Sequence, residues 1–423
     1  MPEMPEFPDN PESPESPELP ESPESPEYPP HPLTPEQPHT IMTNEQTAHT
    51  EEQVAAIAPT HHRLRVGITH GDINGVGYEL IFRTFAAPEM ADLCTPIVFG
   101  SAKVAAYHRK TLGLDVAFQV VNSAADALEG QLNLIDCATD DVSVQFGQCS
   151  AEAGHMAYVA LEAATEALKA GDIDVLVTAP ICKSAIQSAD FRFVGHTEYL
   201  ADRLAPDSQP LMMLCNDQLR VALVTTHLPL RDVSAAITTE SVEQHIRQVY
   251  HSLRHDFLVP APRIAVLGLN PHNGDNGTLG SEEADIIRPA IQAAVDDGIQ
   301  CFGPYPADGF FGAGLYGEFD AVLAMYHDQA LAPFKALSMD DGVNFTAGLP
   351  YVRTSPDHGT AFDIAGRGIA SEASFRRAIY DAIDICRNRR ADDDARRNPL
   401  PKLYHERRED GLRVQRQPLP PLS

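Results

Sequence analysis

Short apolar segments alternate with amphipathic segments from about residue 64 onward. SAKVAAYHRKTLG and HMAYVALEAATEALKAG have the periodicity of helices, and the second ends at Gly171. The apolar segments typical of buried strands are LRVGIT (64–69), TPIVFG (95–100), DVLVTAP (174–180), LRVALVTTH (219–227), RIAVLGLN (263–270) and DAVLAMYHD (320–328). Buried strands separated by helices predict an α/β fold with a mostly parallel sheet.

Histidine follows three of these predicted strands. His227 ends LRVALVTTH, His272 comes just after RIAVLGLN, and His327 closes AVLAMYH. If the strands are neighbours, their carboxyl ends meet at one edge of the sheet and the imidazoles can converge there. Three neutral imidazoles suit Zn²⁺, Co²⁺ or Ni²⁺ and leave a coordination position open. A single histidine at a strand end is more often an ordinary hydrogen-bonded residue, so the metal prediction depends on all three.

Two glycine-rich turns adjoin these strands. HGDINGVG (70–77) lies between a predicted strand and a predicted helix, where backbone N–H groups could face an anion. It matches neither GxGxxG nor the P-loop pattern, so neither standard nucleotide motif is present there. NPHNGDNGTLGSEE contains His272 and leads to a helix predicted to begin near Ser281. The alternative interpretation of both segments is a tight structural loop.

Polar and basic groups follow His327 at short range. Lys335, Asn344 and Arg353 could together hold a phosphate or a carboxylate, with Arg353 as a bidentate donor. The alternative is ordinary solvated surface charge.

The charge of the chain is strongly negative and unevenly distributed. The 423 residues carry a formal net charge of −29, with no Lys or Arg in residues 1–60. Such a chain disfavours nucleic acid and anionic membranes as partners. PESPESPELPESPESPE is a proline and glutamate repeat that cannot bury a core, so we predict a disordered extension over 1–60. We further predict a catalytic region over 61–390 and a charged, proline-rich tail over 391–423.

The cysteines and the apolar segments indicate the cellular setting. The 7 cysteines are scattered, with no CxxC, which favours reduced thiols over disulfides or a zinc ribbon. No run of about 18 apolar residues and no secretory signal is present, so we expect a cytoplasmic protein without a membrane span.

Several motifs occur in an order that resembles the 4-hydroxythreonine-4-phosphate dehydrogenase (PdxA) family of pyridoxal phosphate biosynthesis. They are GHTEYL, TTHLPLRD, LNPHNGD, GPYPAD, AMYHDQ and GVNFTAGLPYVRTSPDHGTAFDIAGRG. The resemblance runs from about Leu64 to about Asn388. It implies NAD(P)-dependent oxidation of 4-phosphooxy-threonine to a β-keto acid, which loses CO₂ to give 3-amino-2-oxopropyl phosphate. It also implies a homodimer with the active site at its interface.

The resemblance assigns roles by motif. It implies one divalent metal ion per subunit (Zn, Mg or Co) held by His227, His272 and His327. It implies substrate contacts from His196, Thr197, Lys335, Asn344 and Arg353.

A second similarity concerns the cofactor and the fold. HGTAFDIAGRGIA (358–370) is similar to the loop of isocitrate and isopropylmalate dehydrogenases that binds the adenosine half of NAD(P). It implies NAD or NADP contacts from His358, Gly359, Thr360 and Asp363. It also implies the fold of those enzymes, which has two α/β/α lobes with a cleft between them and a chain that crosses to the second lobe and back.

The catalytic base and the exact reaction stay open at this point. Asp308 and Lys183 are both candidates for the group that takes the proton from the substrate hydroxyl. A close alternative function is oxidation of phosphothreonate or phosphoerythronate. A metal-dependent hydrolase or aldolase, and a non-catalytic metal-binding protein, are more distant alternatives, which the cofactor loop and the substrate residues disfavour.

Overall fold

The computed structural model describes residues 63–138, 142–188, 190–338 and 340–399, so the predicted extension over 1–60 lies outside the described residues. Within these ranges the strands form one 12-stranded sheet. The strands are β1 (Arg65–Thr69), β2 (Thr95–Gly100), β3 (Gln119–Val121), β4 (Asn133–Asp136), β5 (Val175–Thr178), β6 (Leu211–Cys215), β7 (Arg220–Leu223), β8 (Arg263–Leu267), β9 (Gln300–Tyr305), β10 (Ala321–Ala324), β11 (Val343–Ala347) and β12 (Arg353–Pro356).

Helices connect most of these strands. They are α1 (Gly77–Phe85), α2 (Glu89–Leu93), α3 (Ala102–Thr111), α4 (Ala151–Ala170), α5 (Lys183–Ile186), α6 (His196–Leu204), α7 (Leu230–Ala236), α8 (Thr239–His255), α9 (Arg288–Asp296), α10 (Ala307–Gly312), α11 (His327–Leu337) and α12 (Ala373–Arg397). The last helix continues past residue 390, where the sequence suggested the start of the tail. No helix within the described ranges has the length and apolarity needed to cross a bilayer.

The sheet consists of two parallel groups that run in opposite directions. Its strand order is β3-β4-β2-β1-β5-β12-β11-β6-β7-β10-β8-β9. The six strands from β3 to β12 are parallel to one another, and so are the four from β7 to β9. Between them, β11 and β6 are antiparallel to every neighbour. The three successive antiparallel pairings reverse the second group relative to the first, and the chain enters that second group at β6 and returns at β11.

Both faces of the sheet are covered by helices. On β5, Val175 and Val177 face the core that contains α1 and α12, whereas Leu176 faces the core that contains α4. On β10, Leu323 faces the same side as α8, and Val322 faces α11. Because successive strand residues point to opposite faces, these strands need apolar residues at every position. This explains why the sequence shows continuous apolar runs, and the predicted α/β/α architecture is confirmed.

The six predicted strands are all present, but the sequence analysis did not identify β3, β4, β6, β9, β11 or β12. The short β3 is partly exposed, and β12 has the sequence RTSP. β12 lacks the apolar composition that marks a buried strand, and β3 (QVV) is too short to show a pattern, so the pairing with neighbouring strands places both in the sheet.

The turn after β1 encloses two buried histidines. The ring centroids of His70 and Tyr78 are 5.0 Å apart, and those of Tyr78 and His108 are 5.1 Å apart. His108 Nε2 lies 2.8 Å from the carbonyl oxygen of Ile73. Burial lowers the pKa of both histidines to about 4. A Cβ at Gly77 would lie 1.9 Å from the carbonyl oxygen of His70, so this turn requires glycine there.

We expect the free energy of unfolding to fall as the pH drops from about 6.5 toward 4, because the unfolded chain then binds protons at His70 and His108 and the folded chain does not. His108→Leu should remove one contribution, up to about 3 kcal/mol at the acid end, and flatten the dependence. Urea unfolding of the wild type and of His108→Leu at several pH values measures this pH dependence of the free energy of unfolding. Asp72, whose pKa burial raises to about 6, has the opposite effect in both proteins and cancels. An unchanged slope in the variant would contradict this interpretation.

Candidate active site

A cavity of about 310 Å³ lies where the two parallel groups of the sheet meet. Its wall combines the carboxyl end of β5, the central strands β6, β11 and β12, the start of α6, and the segments after β7 and β10. The lining side chains include Thr178, Lys183, His196, Thr197, Glu198, Met212, His227, His327, Lys335, Asn344, Arg353, Ser355, Asp357 and His358. The cavity therefore brings together segments that are up to 180 residues apart, as Thr178 and His358 show.

Arg353 is a buried cation in the wall of this cavity. Its Nε and Nη2 donate to Thr178 Oγ1 at 3.2 and 2.7 Å, and its Nη1 donates to Thr346 Oγ1 at 3.2 Å. Thr346 Oγ1 also lies 3.3 Å from Thr197 Oγ1. Burial lowers the pKa of Arg353 to about 10, opposed by the Glu198 carboxylate, so the guanidinium stays charged at neutral pH. Neutral hydroxyls hold this charge, which leaves it available to an anionic ligand.

Two polar groups beside Arg353 have no partner among the described residues. His196 Nε2 and Asn344 Oδ1 are buried and make no hydrogen bond there. Burial, together with the charges of Arg353 and Lys183, holds the pKa of His196 well below its ordinary value. A neutral imidazole and an amide oxygen can each bond a ligand in the cavity, and leaving such groups unpaired costs about 1–3 kcal/mol each.

Lys335 and Asp357 form a charged pair at the cavity. Lys335 Nζ donates to the Asp357 carbonyl oxygen at 2.9 Å and lies 3.3 Å from its Oδ1. The Lys335 side chain is about half exposed, at 49%. Burial raises the pKa of Asp357, although the Lys335 charge opposes this. Lys335 therefore presents a movable cation to the cavity, in contrast to the fixed cation of Arg353.

Two of the three predicted metal ligands lie together. The ring centroids of His227 and His327 are 6.1 Å apart, and both residues line the cavity. His327 Nδ1 lies 2.7 Å from Asp328 Oδ1, and His227 Nδ1 lies 3.6 Å from Glu198 Oε1. A carboxylate at Nδ1 orients the ring and leaves Nε2 for a metal, so the chemistry of this pair fits a divalent ion.

His272 is presented on an unusual loop. Residues 272–276 all have positive φ angles, between 42° and 77°, which form a left-handed turn. Asparagine, aspartate and glycine tolerate this conformation best, and they make up the rest of the turn. The loop is anchored because Glu283 accepts the backbone N–H groups of Leu269 and Asn270 at 2.8 and 2.6 Å. His272 is exposed, and no group of three metal-binding side chains occurs within the described parts of one chain.

The predicted cofactor loop begins in the cavity and leaves it. His358 and Gly359 line the wall, and the carbonyl oxygen of Thr360 accepts the backbone N–H of Val76 at 3.1 Å. The loop thus packs on the glycine-rich turn after β1. Asp363 is exposed beyond this contact.

The two candidate bases lie in different places. Lys183 lines the cavity, whereas Asp308 in α10 is not among its lining residues. The sequence analysis did not single out Thr178, Glu198 or Asp357. Glu198 belongs to the GHTEYL motif and Asp357 precedes His358, so adjacency to motif residues was the available signal for both.

Comparison with known proteins places this α/β cavity in one family. The family model described as "Pyridoxal phosphate biosynthetic protein PdxA" matches residues 92–382. The 4-hydroxythreonine-4-phosphate dehydrogenase of Bacteroides thetaiotaomicron is 56% identical over 349 residues, which cover 82% of this chain and 96% of the relative. That of Prosthecochloris aestuarii is 44% identical over 334 residues, which cover 76% and 97%.

A crystal structure of 4-hydroxythreonine-4-phosphate dehydrogenase from Klebsiella pneumoniae superimposes with a TM-score of 0.67 at 34% identity. The match covers 78% of this chain and 99% of that one. The fold is that of these dehydrogenases, which belong to the α/β proteins with a large mixed sheet. The chain belongs to the PdxA family.

Thr178→Val should destabilise the protein by about 1.5–3 kcal/mol, because it removes the acceptor for two nitrogen donors of the buried Arg353 cation. Thr178→Ser is the matched control, since it keeps the hydroxyl and should cost only about 1 kcal/mol for the lost methyl group. Chemical denaturation measures both. Equal losses of unfolding free energy in the two variants would show that the hydrogen bonds from Arg353 to Thr178 do not contribute to stability.

Proposed function

We propose that the protein oxidises 4-phosphooxy-L-threonine with NAD or NADP, and that the β-keto acid formed loses CO₂ to give 3-amino-2-oxopropyl phosphate in pyridoxal phosphate biosynthesis. The observation that carries the proposal is the convergence of the five predicted substrate residues in one cavity with His227, His327 and the start of the cofactor loop.

The cavity offers complementary groups for each part of this substrate. Arg353 and Lys335 supply two positive charges for the phosphate, one fixed and one mobile. His196, Thr197 and Asn344 supply neutral hydrogen-bonding groups that orient the rest of the molecule. Lys183 lines the cavity, which favours it over Asp308 as the group that accepts the proton of the substrate hydroxyl.

The metal and the nicotinamide complete this proposal. His227, His272 and His327 would hold the ion, and His358, Gly359, Thr360 and Asp363 would contact the NAD(P). When bound, the ion supplies Lewis acidity toward a substrate oxygen, and the nicotinamide supplies the hydride acceptor. Glu198 and Asp328 keep the rings of His227 and His327 oriented toward it.

We further propose a homodimer whose interface completes the site, with His272 contributed by the second subunit. Support comes from large apolar side chains exposed on the same loops as the histidines. Leu228 and Leu230 beside His227 are 45% and 72% exposed, and Leu279 after His272 is 46% exposed. Clustered apolar exposure of this kind is typical of a protein–protein interface.

The first test of the reaction is NAD(P)H formation by the purified protein with 4-phosphooxy-threonine or phosphothreonate as substrate. We expect faster turnover of 4-phosphooxy-threonine than of phosphothreonate. Lys335→Ala should lower kcat/KM by about one to two decades, since it removes a charge-assisted hydrogen bond to the phosphate. The same variant should show a much smaller loss of kcat/KM with the non-phosphorylated hydroxy-threonine.

Faster oxidation of phosphothreonate would favour the alternative substrate. Equal fractional losses of kcat/KM for phosphorylated and non-phosphorylated substrates would show that Lys335 does not bind the phosphate. Ala332→Ser, an exposed change on the same helix, is the matched control.

His227→Ala, His272→Ala and His327→Ala should each lose bound metal and most activity while staying folded, because two remaining ligands compete poorly with water. Metal content by elemental analysis and folding by circular dichroism test this directly. Any variant that keeps stoichiometric metal would show that its histidine is not a ligand.

Co-expression of two variants tests which subunit supplies His272. Mixing His272→Ala with His227→Ala should recover about a quarter of wild-type activity, because half of the subunits pair as heterodimers with one intact site. Mixing His227→Ala with His327→Ala, which we place on the same side of the interface, should recover none. Recovery in both mixtures, or in neither, would overturn the shared site.

A further inference from the structure

Cys149 and Cys182 lie together beside the cavity. Cys149 precedes α4 and Cys182 precedes α5, so they come from separate segments of the chain. Each Sγ lies 3.3 Å from Ser184 Oγ, so a single hydroxyl contacts both sulfur atoms. The 7 cysteines are all free, so both groups are thiols.

The surrounding backbone holds the two segments in this position. A Cβ at Gly154 would lie 2.0 Å from the carbonyl oxygen of Ala185, so α4 packs directly on the backbone of α5. On the other side, Asn74 Nδ2 donates to the carbonyl oxygen of Gln148 at 2.9 Å. Packing therefore fixes the relative positions of the two backbone segments that carry the thiols.

The pair also contains the most accessible thiol of the chain, that of Cys149. Cys149 is exposed and Cys182 is half-buried, whereas Cys94, Cys215, Cys301 and Cys386 are buried. Partial burial acts to raise the pKa of Cys182, but hydrogen bonds from Cys149, Ser184 and nearby backbone N–H groups outweigh it and lower the pKa. Its hydrogen bond with Cys182 raises the pKa of Cys149. This difference favours Cys182 as the attacking thiol and Cys149 as the resolving one.

We propose that Cys149 and Cys182 form a reversible disulfide when the protein meets hydrogen peroxide, and that this bond restrains the adjacent wall of the cavity. Cys182 sulfur attacks one peroxide oxygen, the O–O bond breaks, and a sulfenic acid and water form. Cys149 sulfur then attacks the Cys182 sulfur, and the sulfenic oxygen leaves as a second water. The two thiols lose two electrons in total, and one peroxide is reduced.

The disulfide acts on the cavity through the residues next to Cys182. Ile181 and Lys183 both line the cavity, so tying Cys182 to the start of α4 repositions Lys183 relative to the substrate groups. Turnover should therefore fall on oxidation and return on reduction. This coupling rests on the proposed function, whereas formation of the disulfide does not.

The full-length protein is treated with a stoichiometric excess of hydrogen peroxide, and its peptides are mapped by mass spectrometry without reduction. We expect a Cys149–Cys182 cross-link that dithiothreitol reverses, with a several-fold loss of turnover that recovers in parallel. Cys149→Ser should stop at a modified Cys182 without the cross-link. Cys137→Ser is the matched control and should behave as the wild type, since burial raises the pKa of the half-buried Cys137 to about 11.

Absence of the cross-link in wild-type protein, or oxidation of Cys137 as fast as Cys182, would overturn the site. A cross-link that leaves turnover unchanged would overturn its coupling to Lys183. If the protein oxidised none of the tested substrates, the peptide map would still decide whether the disulfide forms, so the two proposals fail separately.

Discussion

A charged guanidinium buried in the middle of the sheet is the constraint around which the site is organised. Arg353 can be buried there only because Thr178 on β5 and Thr346 on β11 accept its N–H groups. An unpaired buried charge would be strongly destabilising, so these hydroxyls and their strands must keep their relative positions. The same arrangement leaves a positive charge facing the cavity in a chain of net charge −29.

The reversal of strand direction in the centre of the sheet explains why the cavity lies there. In a fully parallel sheet, the loops after the strands gather at one edge. Here β11 and β6 are antiparallel to their neighbours, so the carboxyl ends of β5 and β7 lie at opposite edges of the sheet. Groups after β5 and groups after β7 and β10 nevertheless line one cavity, together with Met212, Asn344 and Arg353 of the central strands.

The predicted cofactor loop (358–370) is held at both ends by the glycine-rich turn after β1 and the helix that follows it. At its start, Thr360 accepts a backbone hydrogen bond from Val76 in the glycine-rich turn. At its end, the buried carboxylate of Glu79 accepts the backbone N–H of Ala370 at 2.9 Å. The glycine-rich turn therefore supports the loop that we expect to bind NAD(P).

The sequence by itself determined the α/β class and six of the 12 strands, and its motifs named about half of the residues that line the cavity. The strands follow from local information, because a strand buried on both faces must be apolar at each position. The cavity residues follow from short sequence motifs that resemble those of the family. The placement of Asn344 and Arg353 in one cavity with His196 depended on long-range pairing of β5, β12 and β11, which no local pattern encodes. Thr178 and Thr346 show the same limit, since a threonine in a strand is unremarkable until a buried cation needs its hydroxyl. The position of His272 apart from His227 and His327 was likewise decided by tertiary structure. Neighbouring strand ends bring the loops close, but the left-handed turn and its Glu283 anchor decide where the imidazole is presented.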